Sequence, residues 1–423
     1  MYNTWKMKKQ QRKSKVGHRV VIILGSLFFM AMAGELITAK FLPQKTFRLA
    51  YSEAINCFKS DKTLLFTLKP NCTLQFENYD TGETVSAKTN NMGYRGEDFQ
   101  PEKNANEKRI LVEGDSFVLG FGVSDNDVFT KVLEEKLGGG TRVINAGYKG
   151  GFGPDGYYLH LKNEGMNLAP DLTIFSIFVY NDFTDMTDSD WLGSGKNGEP
   201  QRIVSNKIRV DEIGYLLPLS VPYVYRLPIL RNSHLAILSF DGLKALQAKV
   251  KHYYDRIYFK IFKPQFPSGE ASDSNFLGTY FSNCLFGEIC HRKAFHLYQD
   301  MMSVIRASRD LTKSKAIDGN DNFLILIIPA DFQIYDDVMD KYKTDTGIPY
   351  HPWEIEDPNP QRRLRELFDS EGIKYIDLLP LMRLSRERLY FKKDGHFNRE
   401  GHAFSATVVY NWIREYYGNL SSR

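Results

Sequence analysis

The 423-residue chain predicts an α/β protein built on a doubly wound parallel sheet and carried on an N-terminal membrane helix. Three observations predict it. Short, continuously apolar, β-prone runs alternate with segments of helical period over residues 109–182 and 320–416, the pattern of strands buried on both faces and joined by crossover helices. A strongly apolar stretch over 20–42 follows a purely basic leader. The residues that carry chemistry fall just past predicted strand ends, the edge where open α/β sheets bind ligands.

The leader holds Lys6, Lys8, Lys9, Arg12, Lys13, Lys15 and Arg19 and no acid. The apolar stretch behind it is interrupted by Glu35 and Lys40. About 20 apolar residues cross a bilayer, so residues 1–42 read as a cytoplasmic basic segment and a transmembrane anchor. The basic flank stays inside and the rest is exported, to a periplasm or cell surface. The alternative is a cleaved signal peptide, with residues 20–30 as its apolar region and Ala31-Met32-Ala33 as a small-x-small site. The anchor is preferred because apolar character resumes at Leu36-Ile37 behind a long basic leader. Net charge is +4, but without the seven leader cations 48 Lys and Arg face 51 Asp and Glu. The basic balance therefore serves topology and gives no reason to expect a nucleic-acid partner.

Four cysteines suit an exported chain. Three pairings are possible, and Cys57–Cys72 with Cys284–Cys290 are expected because both close short local loops; four buried thiols are the alternative. Neither spacing fits a zinc knuckle or a redox Cys-x-x-Cys. No His-Glu-x-x-His occurs, and His160, His234, His252 and His351 are scattered, so neither metal nor other cofactor is expected.

Residues 43–108 read as a spacer with a small β extension, its strands at 64–76 and 84–89 flanking the turn Asp80-Thr81-Gly82. A core strand at 109–113 is bounded by Arg109 and Glu113, and a helix follows at 126–137 with Val128, Phe129, Val132, Leu133 and Leu137 on its inner face. Strands at 142–146 and 171–179 come next. Residues 183–320 read as an insertion within a catalytic domain spanning 109–420: a loop at 193–198, a hairpin over 204–216, and helices at 235–262 and 292–311. The aromatic residues of 253–262 are expected to bury that helix on the core. A buried strand at 323–328, an amphipathic helix at 358–371, a strand at 374–378 and a final helix at 399–417 complete the domain.

Ser116 stands in Gly114-Asp115-Ser116-Phe117, in the turn beyond the first core strand. Near the C-terminus the chain reads Asp394-Gly395-His396-Phe397-Asn398. A serine hydroxyl becomes a nucleophile when an imidazole takes its proton, and the imidazole needs an acceptor to fix its tautomer. The strand at 142–146 runs into a glycine-rich turn through Gly147, Gly150 and Gly151, and the next strand ends in Tyr180-Asn181-Asp182. Backbone and amide N–H groups at such strand ends suit the negative oxygen that develops in acyl transfer.

Gly-Asp-Ser, a glycine turn, Asn-Asp and Asp-x-His, in that order, resemble the SGNH (GDSL-type) hydrolase superfamily over roughly 109–182 and 320–416. The resemblance implies a three-layer α/β/α, flavodoxin-like fold. It implies Ser116 as nucleophile, His396 as general base and Asp394 as its carboxylate. It also implies an oxyanion hole made from the N–H groups of Ser116 and Gly150 and the side chain of Asn181. Many members place the acid three residues before the histidine, where this chain has Lys393, and a small residue where it has Tyr180. The Asp-x-His form resembles a branch that includes O-acetyl transfer proteins of bacterial exopolysaccharide export. The implied function is a serine esterase acting on acyl esters, O-acetyl above all, of cell-surface carbohydrate through an acyl-serine. An O-acyltransferase fed by a membrane-bound acyltransferase partner uses the same triad. A non-catalytic carbohydrate-binding or assembly factor would have no use for Ser116, His396 and Asn181. Trp191, Tyr223, Tyr225 and Trp353 are candidates to stack on sugar rings, though apolar packing explains them as well.

Overall fold

A computed structural model describes residues 2–44, 46, 57–78, 80–148, 152–212, 214–219, 222–262, 292–314, 321–340 and 356–416. The chain forms two compact units, Met1–Ser52 with Ser220–Pro267, and Glu53–Leu219 with Ser268–Arg423. The stretch 183–320 is thus divided between them.

The first unit begins with α1, Tyr2–Phe41. Within it His18–Phe41 is long and apolar enough to cross a membrane, with mean hydropathy 2.3, and its large apolar side chains are exposed. The unit's other helices lie in its second segment, Ser220–Pro267.

The second unit opens with β1 (Phe58–Ser60), β2 (Phe66–Leu68), β3 (Thr73–Glu77) and β4 (Thr84–Lys88). The single strand expected over 64–76 is two strands in separate antiparallel hairpins, β1 with β2 and β3 with β4. Pro70 has no N–H for a ladder, and Asn71 takes the left-handed φ of 54°, which ends β2 and redirects the chain. A Cys57–Cys72 disulfide joins the two hairpins, with Cα atoms 5.7 Å apart. Cys284 and Cys290 lie outside the described residues.

The core follows as β5 (Lys108–Gly114), α2 (Ser116–Leu119), α3 (Phe129–Leu137), β6 (Thr141–Gly147), α4 (Pro154–Asn163), β7 (Leu172–Phe178) and α5 (Asp182–Thr187). β5 runs past its charged ends, because each buried charge is met inside the fold. Arg109 donates to the carbonyls of Gln100, Pro101, Glu102 and Leu168 and to Glu107. Glu113 pairs with His160 of α4, whose other ring nitrogen meets the Tyr94 hydroxyl at 3.1 Å. α3 starts later than its apolar spacing suggests. Ser124 Oγ donates to Asp127 Oδ2 and the Asp127 N–H to the Ser124 carbonyl, so those residues form a turn.

Two hairpins come next, β8 (Ser189–Ser194) with β9 (Pro200–Ser205), and β10 (Ile208–Val210) with β11 (Leu216–Pro218). The hairpin expected over 204–216 is therefore shifted: Val204 and Ser205 end β9, and Ser205 Oγ accepts the N–H groups of Lys207 and Ile208 in the turn between. α6 (Tyr223–Arg226) and α7 (His234–Phe262) belong to the first unit. Tyr253 of α7 is 68% exposed rather than packed in a core, and the aromatic side chains beyond it lie outside the described residues. The second unit resumes with α8 (Arg292–Ser314), β12 (Phe323–Ile328), α9 (Asn359–Glu371), β13 (Tyr375–Asp377), α10 (Leu378–Arg383) and α11 (Arg399–Tyr416).

The five core strands are all parallel and lie in the order β13-β12-β7-β5-β6. Numbered by appearance this is 2-1-3-4-5 read from the β6 edge, the doubly wound order of a three-layer α/β/α fold. Every residue of β7 and β12 is buried, as expected for strands covered by helices on both faces. The winding reverses between β5 and β7, and the crevice beyond their C-terminal ends is the switch point where such sheets bind ligands.

Candidate active site

Ser116 follows β5 at that switch point and opens α2. Its approach to the sheet needs two glycines. A Cβ at Gly114 would sit 2.3 Å from Val118 Cγ2, and one at Gly147 only 2.1 Å from the Leu119 backbone nitrogen. The turn is fixed from its far end by Arg95, a buried guanidinium that donates to the carbonyls of Leu119, Gly120 and Val123 and to Asp125. Asn145 of β6 adds a bond from Nδ2 to the Val118 carbonyl at 2.6 Å.

Ser116 Oγ lies 2.8 Å from His396 Nε2, although 280 residues separate them. His396 Nδ1 is hydrogen-bonded to Asp394 Oδ1, and the same oxygen accepts the His396 backbone N–H at 2.9 Å. The three groups expected to form a triad are joined in the order the chemistry needs. Burial draws the Asp394 carboxyl upward, but the hydrogen bond and charge of His396 outweigh it and hold the group below its ordinary range. Imidazole and acid remain 26% and 14% exposed, which opens the histidine to an entering substrate and shields the acid behind it. The ring lies against Phe117 and Phe121, with centroids 5.1 and 5.0 Å away.

The loop that brings Asp394 and His396 here is tied on several sides. The Phe391 N–H donates to the His396 carbonyl at 3.0 Å, and Asn398 Nδ2 donates to the Arg388 carbonyl at 2.7 Å. Tyr390 donates its hydroxyl to the Pro329 carbonyl at the end of β12. Asp80, in the β3–β4 turn, accepts the N–H groups of Lys392 and Lys393.

Asn181 stands at the end of β7, next to the serine turn, where it faces the Asp115 carboxyl. Its Nδ2 donates to Asp185 Oδ2 at 2.9 Å, and an amide carries a second N–H. The Ser116 N–H opens α2, a helix position without an intrahelical partner. Gly150 lies outside the described residues. The Ser116 N–H and the Asn181 amide are donors of the kind a developing oxyanion needs, and the amide is already engaged by the carboxylates around it.

Sequence reasoning missed the carboxylates beneath the serine. Burial pushes Asp115 up to about 6, against the Phe117 N–H that it accepts and the nearby His396. Burial, then the charges of Asp115 and Asp185, push Asp182 well above its ordinary value; it accepts the Tyr157 hydroxyl and the Phe178 N–H. The signal was present, since Asp115 and Asp182 each sit at a predicted strand end beside a site residue. Of the aromatic candidates, Trp191 donates Nε1 to buried Asp155 at 2.8 Å, Tyr223 and Tyr225 belong to the first unit, and Trp353 lies outside the described residues. A cavity of about 300 Å³ beside β6, lined by Tyr94, Arg95, Lys131 and Arg142 among others, touches neither Ser116 nor His396.

A serine hydroxyl on an imidazole that is itself held by a carboxylate, with N–H donors at adjoining strand ends, is an arrangement able to run acyl transfer through an acyl-serine. No family model and no curated protein matches this chain. Among solved structures it is similar to a lipolytic protein of the G-D-S-L family from Desulfitobacterium hafniense, at 11% identity and TM-score 0.33, over 72% of this chain and 99% of that one. It is similar to a lipase/acylhydrolase from Enterococcus faecalis, at 11% and 0.34, over 73% and 96%. It is likewise similar to an acylhydrolase from Bacteroides fragilis, at 12% and 0.32, over 74% and 90%.

Proposed function

We propose that the protein is a serine esterase that cleaves acyl esters, O-acetyl groups of cell-surface carbohydrate in particular, outside the membrane its first helix spans. The observation that carries the chemistry is the 2.8 Å contact of Ser116 Oγ with His396 Nε2, backed by Asp394 on Nδ1. His396 takes the serine proton as Ser116 attacks the ester carbonyl. Asn181 and the Ser116 N–H meet the oxyanion, and His396 returns the proton to the leaving alcohol. Water then releases the acid from the acyl-serine. The apolar window His18–Phe41 behind a basic leader supports the anchor and its orientation. The carbohydrate substrate rests on the Asp-x-His resemblance in the sequence.

Purified full-length protein in detergent should release p-nitrophenol from p-nitrophenyl acetate, and Ser116→Ala should abolish the release. Labelling of Ser116 by a fluorophosphonate without ester hydrolysis would instead favour transfer to a sugar acceptor. Absence of both would end the enzymatic reading.

A further inference from the structure

Glu35 is the one acid in the apolar window His18–Phe41, and the structure shows what engages it. Its carboxylate accepts the Ser233 hydroxyl at 2.6 Å and the N–H groups of His234 and Leu235 at 2.8 and 3.0 Å. It caps the N-terminus of α7, where N–H groups lack intrahelical partners. The joint is close and doubly tied. A Cβ at Gly34 would lie 3.0 Å from Leu235 Cδ2, and the Gln44 N–H donates to His234 Nδ1 at 2.8 Å. Glu35 precedes Phe41, the last residue of α1, by six positions, about 9 Å of helix. α7 therefore begins level with the final part of the apolar window, not beyond it.

From that joint α7 presents Leu243, Leu246, Val250 and Tyr253 at relative exposures of 61%, 58%, 61% and 68%. Their spacing, i, i+3, i+7 and i+10, places them on one face. Just ahead of the helix Ile229 and Tyr223 are also exposed. The 234–262 segment carries five Lys and Arg against two Asp. An apolar stripe on a cationic helix is the composition of a helix lying in a lipid interface, with its apolar face about 5–10 Å into the acyl boundary. That depth agrees with the level at which Glu35 fixes the first turn. A second copy of the chain is a poorer occupant, because two such helices would bring like charge together.

We infer that α7 lies along the outer membrane–water interface, its Leu243-Leu246-Val250-Tyr253 stripe turned into the acyl chains and its lysines at the lipid phosphates. The inference rests on α1 being an uncleaved membrane span. The protein would then be held by one helix through the bilayer and one along its surface, coupled by Glu35.

The test uses full-length protein in nanodiscs of mixed phosphatidylcholine and phosphatidylglycerol. Nitroxides are placed singly at Leu246→Cys, Val250→Cys, Asp241→Cys on the opposite face of α7, and Phe29→Cys in α1, with the signal of unsubstituted protein subtracted. Electron paramagnetic resonance compares accessibility to oxygen and to a water-soluble nickel chelate. Labels at 246 and 250 should favour oxygen about fivefold more than the label at 241, at a shallower depth than the label at 29. Labels at 246 and 250 matching the one at 241, while 29 stays in lipid, would overturn the inference alone. Spin–spin broadening at 246 that disappears on dilution with unlabelled protein would overturn it in favour of a second copy. A water-exposed label at 29 would remove the membrane span itself, and this inference with it.

Discussion

Asp80 accepts the backbone N–H of Lys393 at 2.9 Å, one residue before the carboxylate that holds the His396 imidazole. Its other oxygen takes the Lys392 N–H at 2.8 Å, and Lys393 Nζ reaches back to the Asp80 carbonyl at 3.3 Å. The β extension thus clamps the loop that must deliver Asp394 and His396 from the far end of the chain. Hydrogen bonds to a carboxylate are stronger than neutral ones, though solvent weakens them at this exposed turn. Asp80→Ala should lower kcat on p-nitrophenyl acetate about tenfold, equivalent to roughly 1.4 kcal/mol of misplaced triad, with KM nearly unchanged. Asp80→Asn keeps one acceptor oxygen and should fall between the two. An alanine variant with wild-type kcat would mean that the other ties of this loop suffice without Asp80.

Gly147 sets how closely β6 passes the serine turn. A Cβ there would meet the Leu119 nitrogen at 2.1 Å and the Val118 carbonyl carbon at 2.6 Å, both backbone atoms with no rotamer to yield. Gly147→Ala must push α2 outward and carry Ser116 with it. A displacement near 1 Å at a reacting group costs about a hundredfold in rate. Fluorophosphonate labelling of Ser116 should slow by about that factor, while circular dichroism confirms that the sheet has formed. Labelling at the wild-type rate would refute the tight approach.

β12 was legible because Phe323–Ile328 is a continuous apolar run, which burial on both faces demands, and β5 because of its apolar centre Ile110-Leu111-Val112. The meeting of Ser116, His396 and Asp394 was legible because they stand in short motifs past strand ends. Asp80 was not, since nothing local distinguishes an aspartate in a polar turn from one that reaches a partner 313 residues away. His160 read as a surface or packed imidazole rather than a ligand, and it lies fully buried between Glu113 and Tyr94, partners the sequence did not name. Its partners arrive from a different strand and a different loop. The division of 183–320 between two units was equally hidden, because α7 has the helical period of any packed helix. What sets it apart is the Glu35 cap, and a single acid in an apolar window does not announce its partner.

His402 of α11 is buried, stacks on Phe129 and accepts the Phe129 N–H at Nδ1. Burial, then the charges of Arg95 and His396, hold its pKa down to about 3. The folded state keeps this ring neutral, whereas the unfolded chain binds a proton below about 6.5. Its contribution to stability is therefore complete above pH 6.5 and is lost as pH falls from there towards 3. Between pH 6.5 and 4.5 that loss is on the order of 2–3 kcal/mol. His402→Gln supplies an acceptor that does not titrate. Urea midpoints at pH 7 and 4.5 should differ less for the variant than for the native protein, and equal differences would show that His402 does not set the acid limit.

Asp115 works in the opposite direction. Burial raises its folded pKa to about 6, above the 3.8 of an ordinary aspartate, so the folded state favours the protonated form. Its contribution is fully present below about pH 4 and is lost as pH rises through 6, on the order of 3 kcal/mol. The two slopes oppose each other between pH 4 and 6, and only the single variants separate them. Asp115→Asn keeps the cap on the Phe117 N–H without a charge to bury. It should match the native protein at pH 4 and exceed it in urea midpoint at pH 8. Activity should move the other way. The ionised carboxylate beside His396 favours the imidazolium that forms as Ser116 attacks. Asp115→Asn should therefore lower kcat about tenfold at pH 8 and much less at pH 5. A variant both less stable and equally active at pH 8 would show that Asp115 carries no charge there. The opposite pairing, more stable and slower, would mean that this site retains a buried charge at the expense of stability because the reaction uses it.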